Sequence, residues 1–446
     1  MAHSASFRSV FTLWFPLLLT WLLMAFEGPF LGGIIARMPE AKINLAAFGV
    51  AFAVALILES PIINMLAASV KVVSNRATYR LLRNFNGSIV LGATLCTLLV
   101  LYPPVYEFWA GTLLALEAPV SEGTYWCLVA LIPWPATIGY RRFYQGILIK
   151  QGKSRLVTLG TAVRLVAMVG GALVIYEFFP EVPGATLGGL GLSIGVTAEA
   201  IVSRILAGPS IQLIWSRDQS QDTGWDLPSL ARFYYPLATT TLIGLAIAPT
   251  LTFAAGHGIS PLESLAVIPV INAFIFVFRA VALSLQEVII TVLDQSHDPH
   301  LATASLGRYA FVLGGICTGV YILVVVTPLY EFWFRDLLGL SPELLEFSYL
   351  PLLLVGAVPP LTVLLNWQRS LLIFYKDTLP LSHSSTIELV VVVVVLLVGL
   401  ALEVASAAAV VMLALSISRA VSTTYLQCAL RRHSRGRPLA TAVLGP

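Results

Sequence analysis

Charge is what this sequence lacks. Only 11% of its 446 residues are charged, 26 of them basic and 23 acidic, whereas a soluble chain averages roughly 25%. That deficit excludes an ordinary cytosolic enzyme. The net charge of +3 is dispersed through short segments and leaves no basic stripe for nucleic acid. Cysteine is equally sparse: Cys96, Cys127, Cys317 and Cys428 stand far apart without CxxC spacing. Neither a disulfide framework nor a cysteine metal site follows, and His257, His297, His300 and His383 form no metal spacing. No nucleophile elbow, HExxH or paired-carboxylate motif is present. The expectation is therefore no enzyme, no cofactor and no metal.

Apolar residues fill the space that charge leaves, at 58% of the chain. They are bunched into runs long enough for helices crossing ~30 Å of hydrocarbon, which takes ~20 residues. Such runs fall near 9–36, 45–71, 86–105, 122–149, 155–178, 185–214, 229–256, 263–292, 306–328, 343–373, 379–402 and 405–430. The predicted fold is an all-α integral membrane protein of twelve transmembrane helices in a lipid bilayer. The first run, behind Arg8, extends well past a signal-peptide core. Basic residues cluster after span two (Lys71, Arg76, Arg80, Arg83), after span four (Arg141, Arg142, Lys150, Lys153, Arg155) and in the tail (Arg431, Arg432, Arg435, Arg437). The intervening loops are acidic, so both termini are expected in the cytoplasm, in a plasma or bacterial inner membrane.

The chain also repeats itself. Tyr106-Glu107-Phe108-Trp109 recurs as Tyr330-Glu331-Phe332-Trp333, 330 − 106 = 224 residues later. The same offset sets Phe143 against Trp367, and an offset of 220 sets Phe15-Pro16-Leu17 against Tyr235-Pro236-Leu237 and Leu45-Ala46 against Leu265-Ala266. Two six-helix lobes follow, 1–214 and 229–446, joined by a polar cytoplasmic linker at 215–228. Because six is even, they are parallel repeats about a pseudo-two-fold axis along the membrane normal. Two such lobes enclose a central cavity that rocking opens to each side in turn, the architecture of a transporter. The aromatic tetrad and its copy read as interfacial anchors.

The proline early in the first helix of each half, the Leu45-Ala46-Ala47 opening and the Tyr144–Ser154 junction resemble the MATE-type (multidrug/oligosaccharidyl-lipid/polysaccharide) exporter superfamily over the whole chain. Within it, Glu59-Ser60-Pro61 running to Val72-Val73-Ser74-Asn75-Arg76, the Gly146–Ser154 junction, and Phe233-Tyr234-Tyr235-Pro236-Leu237-Ala238 with Gln286-Glu287-Val288 are similar to the progressive ankylosis proteins. The resemblance implies export of small multivalent anions such as pyrophosphate, nucleotides or citrate. It also implies coupling to H+ or Na+ through an acid in helix one, although there the acid is an Asp deeper in the helix than Glu27.

Nine ionisable residues fall in mid-span, where each costs ~2.5–3.5 kcal/mol and marks a cavity or a partner: Glu27, Glu59, Arg164, Glu199, Arg204, Arg279, Glu287, Glu388 and Arg419. Through the repeat, Glu59 falls on Arg279 (59 + 220) and Arg164 on Glu388 (164 + 224), with signs exchanged. Two arrangements fit. Within each lobe, Glu59 pairs Arg164 and Arg279 pairs Glu388 as structural bridges. Across a cavity, Glu59 instead meets Arg279 and Arg164 meets Glu388 as gates. Arg279, Arg164 and Arg204, with Glu199, are the candidate substrate-binding residues for an anionic cargo, because the guanidinium fork suits phosphate and carboxylate. Glu27 and Glu287 are the candidate coupling acids. The expected function is a monomeric secondary exporter of a small anionic substrate; efflux of organic cations and flipping of a lipid-linked precursor are the alternatives.

Overall fold

In hydrocarbon every backbone N–H and C=O must be satisfied within its own segment, so long apolar runs fold as helices. The computed structural model describes residues 7–216, 225–295, 299–375, 379–403 and 405–435, and among them the only β feature is one bridge, Ile259 to Ser406. The principal helices are α1 (Phe7–Ala25), α2 (Ala41–Ile63), α3 (Arg76–Val100), α4 (Trp134–Lys150), α5 (Ser154–Phe178), α6 (Gly184–Leu206), α7 (Leu227–Leu245), α8 (Pro261–Gln295), α9 (Pro299–Val326), α10 (Val358–Phe374), α11 (Leu379–Leu402) and α12 (Ala407–Arg435). Short helices extend several of them.

Among the described residues, nine helical stretches are long and apolar enough to cross a bilayer, and a tenth, α3 with Pro103–Leu113, qualifies but bends by 76°. The other two expected spans are interrupted. The first breaks at Phe26 between α1 and Glu27–Ile35, and the fourth breaks between Ala118–Ala130 and α4, which carries Arg141 and Arg142. Twelve spans are consistent with this pattern.

Two expectations about charge change. Arg76, Arg80 and Arg83 lie in the opening turns of α3 and not in a loop. Asn75 makes the difference: its side chain accepts from the Thr78 N–H at 3.0 Å while the Thr78 hydroxyl accepts from the Asn75 N–H at 3.1 Å. This reciprocal cap starts the helix one residue before Arg76. Arg141 and Arg142 lie inside α4, well before its end at Lys150.

The chain divides into two compact units, one comprising Phe30–His257 and the other Met1–Pro29 with Gly258–Pro446. These differ from the expected lobes, 1–214 and 229–446, by an exchange of first spans; most of the expected linker, 217–224, lies outside the described residues. Polar contacts explain the exchange. In the second unit, Trp14 Nε1 on α1 donates to Ser284 Oγ on α8 at 2.8 Å, and a Cβ added at Gly28 would lie 2.9 Å from that of Ala273. In the first, Pro61 cannot supply the N–H owed to the Ile57 carbonyl, so Ser60 Oγ donates there at 2.7 Å. The Pro61 carbonyl accepts from Tyr234 Oη on α7 at 2.6 Å, and Asn64 Nδ2 donates to the Leu237 carbonyl at 2.9 Å.

The repeat is written into backbone detail. Left-handed φ occurs at Glu40 (52°) and at Ser260 (55°), 220 residues on, and again at Ala115 (50°) and Gly339 (77°), 224 residues on. Asn44 Oδ1 accepts from the Ala185 N–H, and Ser264 Oγ, at the matching position, accepts from the Ala408 N–H, both at 3.0 Å. Tyr106 Oη donates to the Ser121 carbonyl at 2.5 Å, and Tyr330 Oη donates to the Leu345 carbonyl. Both tyrosines are buried, each leading into a stretch of π-helix, Glu107–Leu113 and Phe332–Leu337. The tetrad therefore fixes a corner, with the glutamate and phenylalanine of each copy facing outward.

Close approach of α4 to α2's continuation, Met65–Val72, requires glycine. A Cβ at Gly146 would lie 2.5 Å from Ser69 Cβ and 2.6 Å from the Leu66 carbonyl, where Ser69 Oγ also donates to the Phe143 carbonyl at 2.7 Å. Gly146→Ala is expected to lower stability by ~1–3 kcal/mol through overpacking, read as an earlier unfolding midpoint in detergent. Gly87→Ala, at an exposed position with open space around it, is the matched control and should leave the midpoint unchanged.

Candidate functional site

Each unit holds a group of charges drawn from four corresponding helices. In Phe30–His257 the centre is Glu199 on α6, which is fully buried. Arg141 Nη1 on α4 donates to its Oε2 at 2.5 Å, Gln145 Nε2 one turn along to Oε1 at 2.9 Å, and Thr161 Oγ1 on α5 to Oε1 at 3.3 Å. Arg164, one turn further on α5, stands 3.9 Å from Oε2. Small residues permit the approach, since a Cβ at Gly160 would already touch the Glu199 side chain at 3.6 Å. Glu59 on α2 accepts from Trp134 Nε1 at 2.7 Å. Arg142 makes no ion pair among the described residues, and its charged neighbours are Arg141, Glu59, Glu199 and Arg164. Three guanidiniums thus face two carboxylates, and Glu199 has donors on most of its lone pairs. This group is a clamp across three helices.

The other unit is more open. Glu388 on α11 pairs with Arg419 on α12, Nη2 to Oε1 at 3.0 Å. Arg369 on α10 donates to Ser385 Oγ at 3.5 Å, and among the described residues neither its Nε nor that of Arg419 has an acceptor, as is also the case for Arg141 and Arg142 in the first unit. Arg279 on α8 is exposed, lies over the Phe276 ring at 5.8 Å and makes no ion pair among the described residues. Its charged neighbours are Arg419, Glu388 and Arg369. Three guanidiniums here share one carboxylate, leaving two positive charges in excess. At an effective dielectric of ~20, unit charges 4 Å apart interact by ~4 kcal/mol, so such an excess is costly without an anion.

The expected pairs resolve differently from either arrangement. Glu59 bonds Trp134 and not Arg164; Arg164 approaches Glu199; Glu388 takes Arg419 and not Arg279. Geometry decides this, because α5 packs along α6 and α11 along α12, bringing Arg164 and Glu388 to those neighbours first. The Ala185–Ala408 correspondence puts Glu199 on Ser422, one helical turn from Arg419 on the same face. Ser422 in turn bonds Ser384 at 2.6 Å, the position matching Gly160. Each unit therefore joins helices five and six through an Arg–Glu contact with the charges reversed.

Arg204 is not part of either group: it is exposed in the last turn of α6, with its guanidinium over the Tyr144 ring at 5.3 Å. Glu27 is buried in the first turn of Glu27–Ile35, where the helix dipole favours a carboxylate. The Glu287 side chain lies outside the described residues. Three residues of these groups were not singled out by sequence reasoning: Arg141 and Arg142, assigned to a loop, and Arg369. The repeat offered a signal for the last, since 145 + 224 sets Gln145 against Arg369.

No family model matches the chain, and no curated protein matches it by sequence. Solved structures do. A lipid II flippase, MurJ, in an inward-closed conformation matches with a TM-score of 0.73 at 14% identity, covering 94% of this chain and 87% of that one. An inward-facing MATE family multidrug resistance transporter of the MOP superfamily matches at 0.67 and 10%, covering 94% and 96%. A MOP superfamily transporter from Pyrococcus furiosus, with a binding pocket of reversed polarity, matches at 0.64 and 11%, covering 95% and 96%. These neighbours define the class: a multi-pass integral membrane protein with the fold of membrane transporters. The fold is the one that these MurJ, MATE family and MOP superfamily structures share with the chain.

Removing one member of a buried ion pair strands the other at a cost of ~3–5 kcal/mol. Glu199→Gln, which keeps an acceptor for Gln145 and Thr161 but removes the charge, is expected to lower the unfolding midpoint by an amount in that range. Adding Arg141→Met should recover part of the loss. A neutral Glu199→Gln would contradict the clamp.

Proposed function

We propose that the chain is a secondary-active exporter that works by alternating access and carries small multivalent anions of the diphosphate or tricarboxylate kind. The observation that carries this reading is the group of three guanidiniums around Glu388, whose two uncompensated charges call for a dianionic partner. Arg279, exposed and without a carboxylate, is the first contact for the cargo, and Arg369 and Arg419 hold free Nε–H donors behind it. Arg164 belongs to the clamp on Glu199, so its role is to hold the unit rigid. Relatives of the same fold captured inward-facing and outward-facing support alternating access. The resemblance to the progressive ankylosis proteins supports the cargo class. Glu27, buried just after a helix break, is the candidate acid for coupling to H+ or Na+.

Organic cations fit this environment poorly, because each would enter beside uncompensated guanidiniums. A second reading keeps the chemistry and changes the carrier: a lipid-linked diphosphate, favoured by the likeness to a lipid II flippase. Both cargoes present phosphate to arginine.

In proteoliposomes loaded with radiolabelled pyrophosphate or citrate, the wild-type chain is expected to release cargo under a proton or sodium gradient. Arg279→Ala is expected to lower the initial rate at least tenfold, about 1.4 kcal/mol or more of lost interaction, without changing the unfolding midpoint. Unchanged transport would overturn the role of Arg279. Transport of a fluorescent lipid-linked diphosphate in place of both soluble anions would select the second reading.

A further inference from the structure

A basic region lies outside the two charge groups. Arg76, Lys153 and Arg204, all in Phe30–His257, have no carboxylate within ion-pair distance among the described residues. Arg204 and Arg76 are joined by aromatic rings. Arg204 lies over Tyr144 at 5.3 Å; Tyr144 packs edge-on against Phe143 at 5.1 Å, Phe143 against Tyr79 at 5.3 Å, and Tyr79 against Trp215 at 6.1 Å. Arg76 closes the chain, 5.1 Å over the Trp215 ring. Lys153 Nζ donates to Ser210 Oγ at 3.2 Å, in the first turns of the short helix Gly208–Trp215.

Next to these cations the surface is apolar and exposed. Ile201 and Ile205, one turn before and one residue after Arg204, are 55% and 66% exposed, and Leu213 is 52% exposed. Residues at i, i+3 and i+4 share one helix face, so Arg204 sits in an isoleucine stripe of the kind that meets acyl chains. A guanidinium there reaches the headgroup layer while its stem lies along hydrocarbon. Trp215, 45% exposed, ends the short helix Gly208–Trp215, which follows α6 after a break at Ala207, and tryptophan is favoured at membrane interfaces.

We infer that this rim is a docking site for an anionic phospholipid, its phosphate held by Arg204 and Lys153 with Arg76 at the far end, and its acyl chains against Ile201, Ile205 and Leu213. Charge complementarity supports it, because cations with no carboxylate partner among the described residues adjoin exposed apolar side chains here. Arg204 accordingly serves lipid and not cargo. The inference does not depend on the cargo proposed above.

The test uses the full chain in nanodiscs of phosphatidylcholine with one-fifth phosphatidylglycerol, followed by native mass spectrometry of the lipids retained after release. Wild type is expected to retain phosphatidylglycerol well above its bulk share. Each surface cation near anionic lipid is worth ~1 kcal/mol, so Arg204→Gln and Lys153→Gln should each reduce that enrichment about fivefold, and the double variant more. Arg335→Gln, at an exposed residue paired with Glu331 in the other unit, should leave it unchanged. If the double variant cannot be recovered folded, Arg204→Gln at its exposed site decides alone. Equal retention of the two lipids by wild type, or unaltered enrichment in Arg204→Gln, would overturn the inference.

Discussion

A guanidinium removed from water has three ways to exist: paired with a carboxylate, drawn out to the headgroup layer, or held against a bound anion. The rest of this structure follows from which arginine takes which course. Arg141 and Arg164 converge on Glu199, Arg419 takes Glu388, and Arg204 lies exposed among isoleucines over Tyr144. Arg279 does none of these, and in its neighbourhood positive charge exceeds negative by two. In a chain with so few charges, that residue is where a ligand has the most to contribute.

The duplication makes the asymmetry informative. Both halves conserve the same skeleton: the left-handed residues before helices two and eight, the tyrosine that pins the π-helical corner, and the side-chain oxygen of Asn44 or Ser264 that caps the start of helix six or twelve. On that common frame the polar residues have diverged in sign. Glu59 corresponds to Arg279 and Gln145 to Arg369, so one unit carries a saturated carboxylate and the other a surplus of donors. Matching frames with different charge are what separate the clamp on Glu199 from the group proposed to bind the cargo.

Much of this was legible in the residues. The apolar runs gave the helices, the Tyr-Glu-Phe-Trp tetrad gave the repeat, and the positions of Glu59, Arg164, Arg279 and Glu388 gave the sign exchange. Partners were not legible, because they depend on which helix faces which: Arg164 has Glu199 one helix away, and nothing in spacing along the chain ranks that above Glu59. Arg141 was hidden for a different reason, since an arginine near the end of an apolar run reads as a loop charge until the helix is seen to continue to Lys150. The exchange of first spans was equally hidden. It rests on the packing of α1 against α8 and of α7 against α2, with Trp14 to Ser284 and Tyr234 to the Pro61 carbonyl among the contacts, none of which a composition window registers.

The central claim is that the arginine surplus around Glu388 binds a dianion. Isothermal titration of the purified wild-type chain with pyrophosphate tests it without any transport assay. The account predicts saturable binding of one anion per chain that weakens as salt rises, with no heat from a monovalent organic cation of similar size. Absence of anion binding at low ionic strength, or preferential binding of the cation, would contradict it.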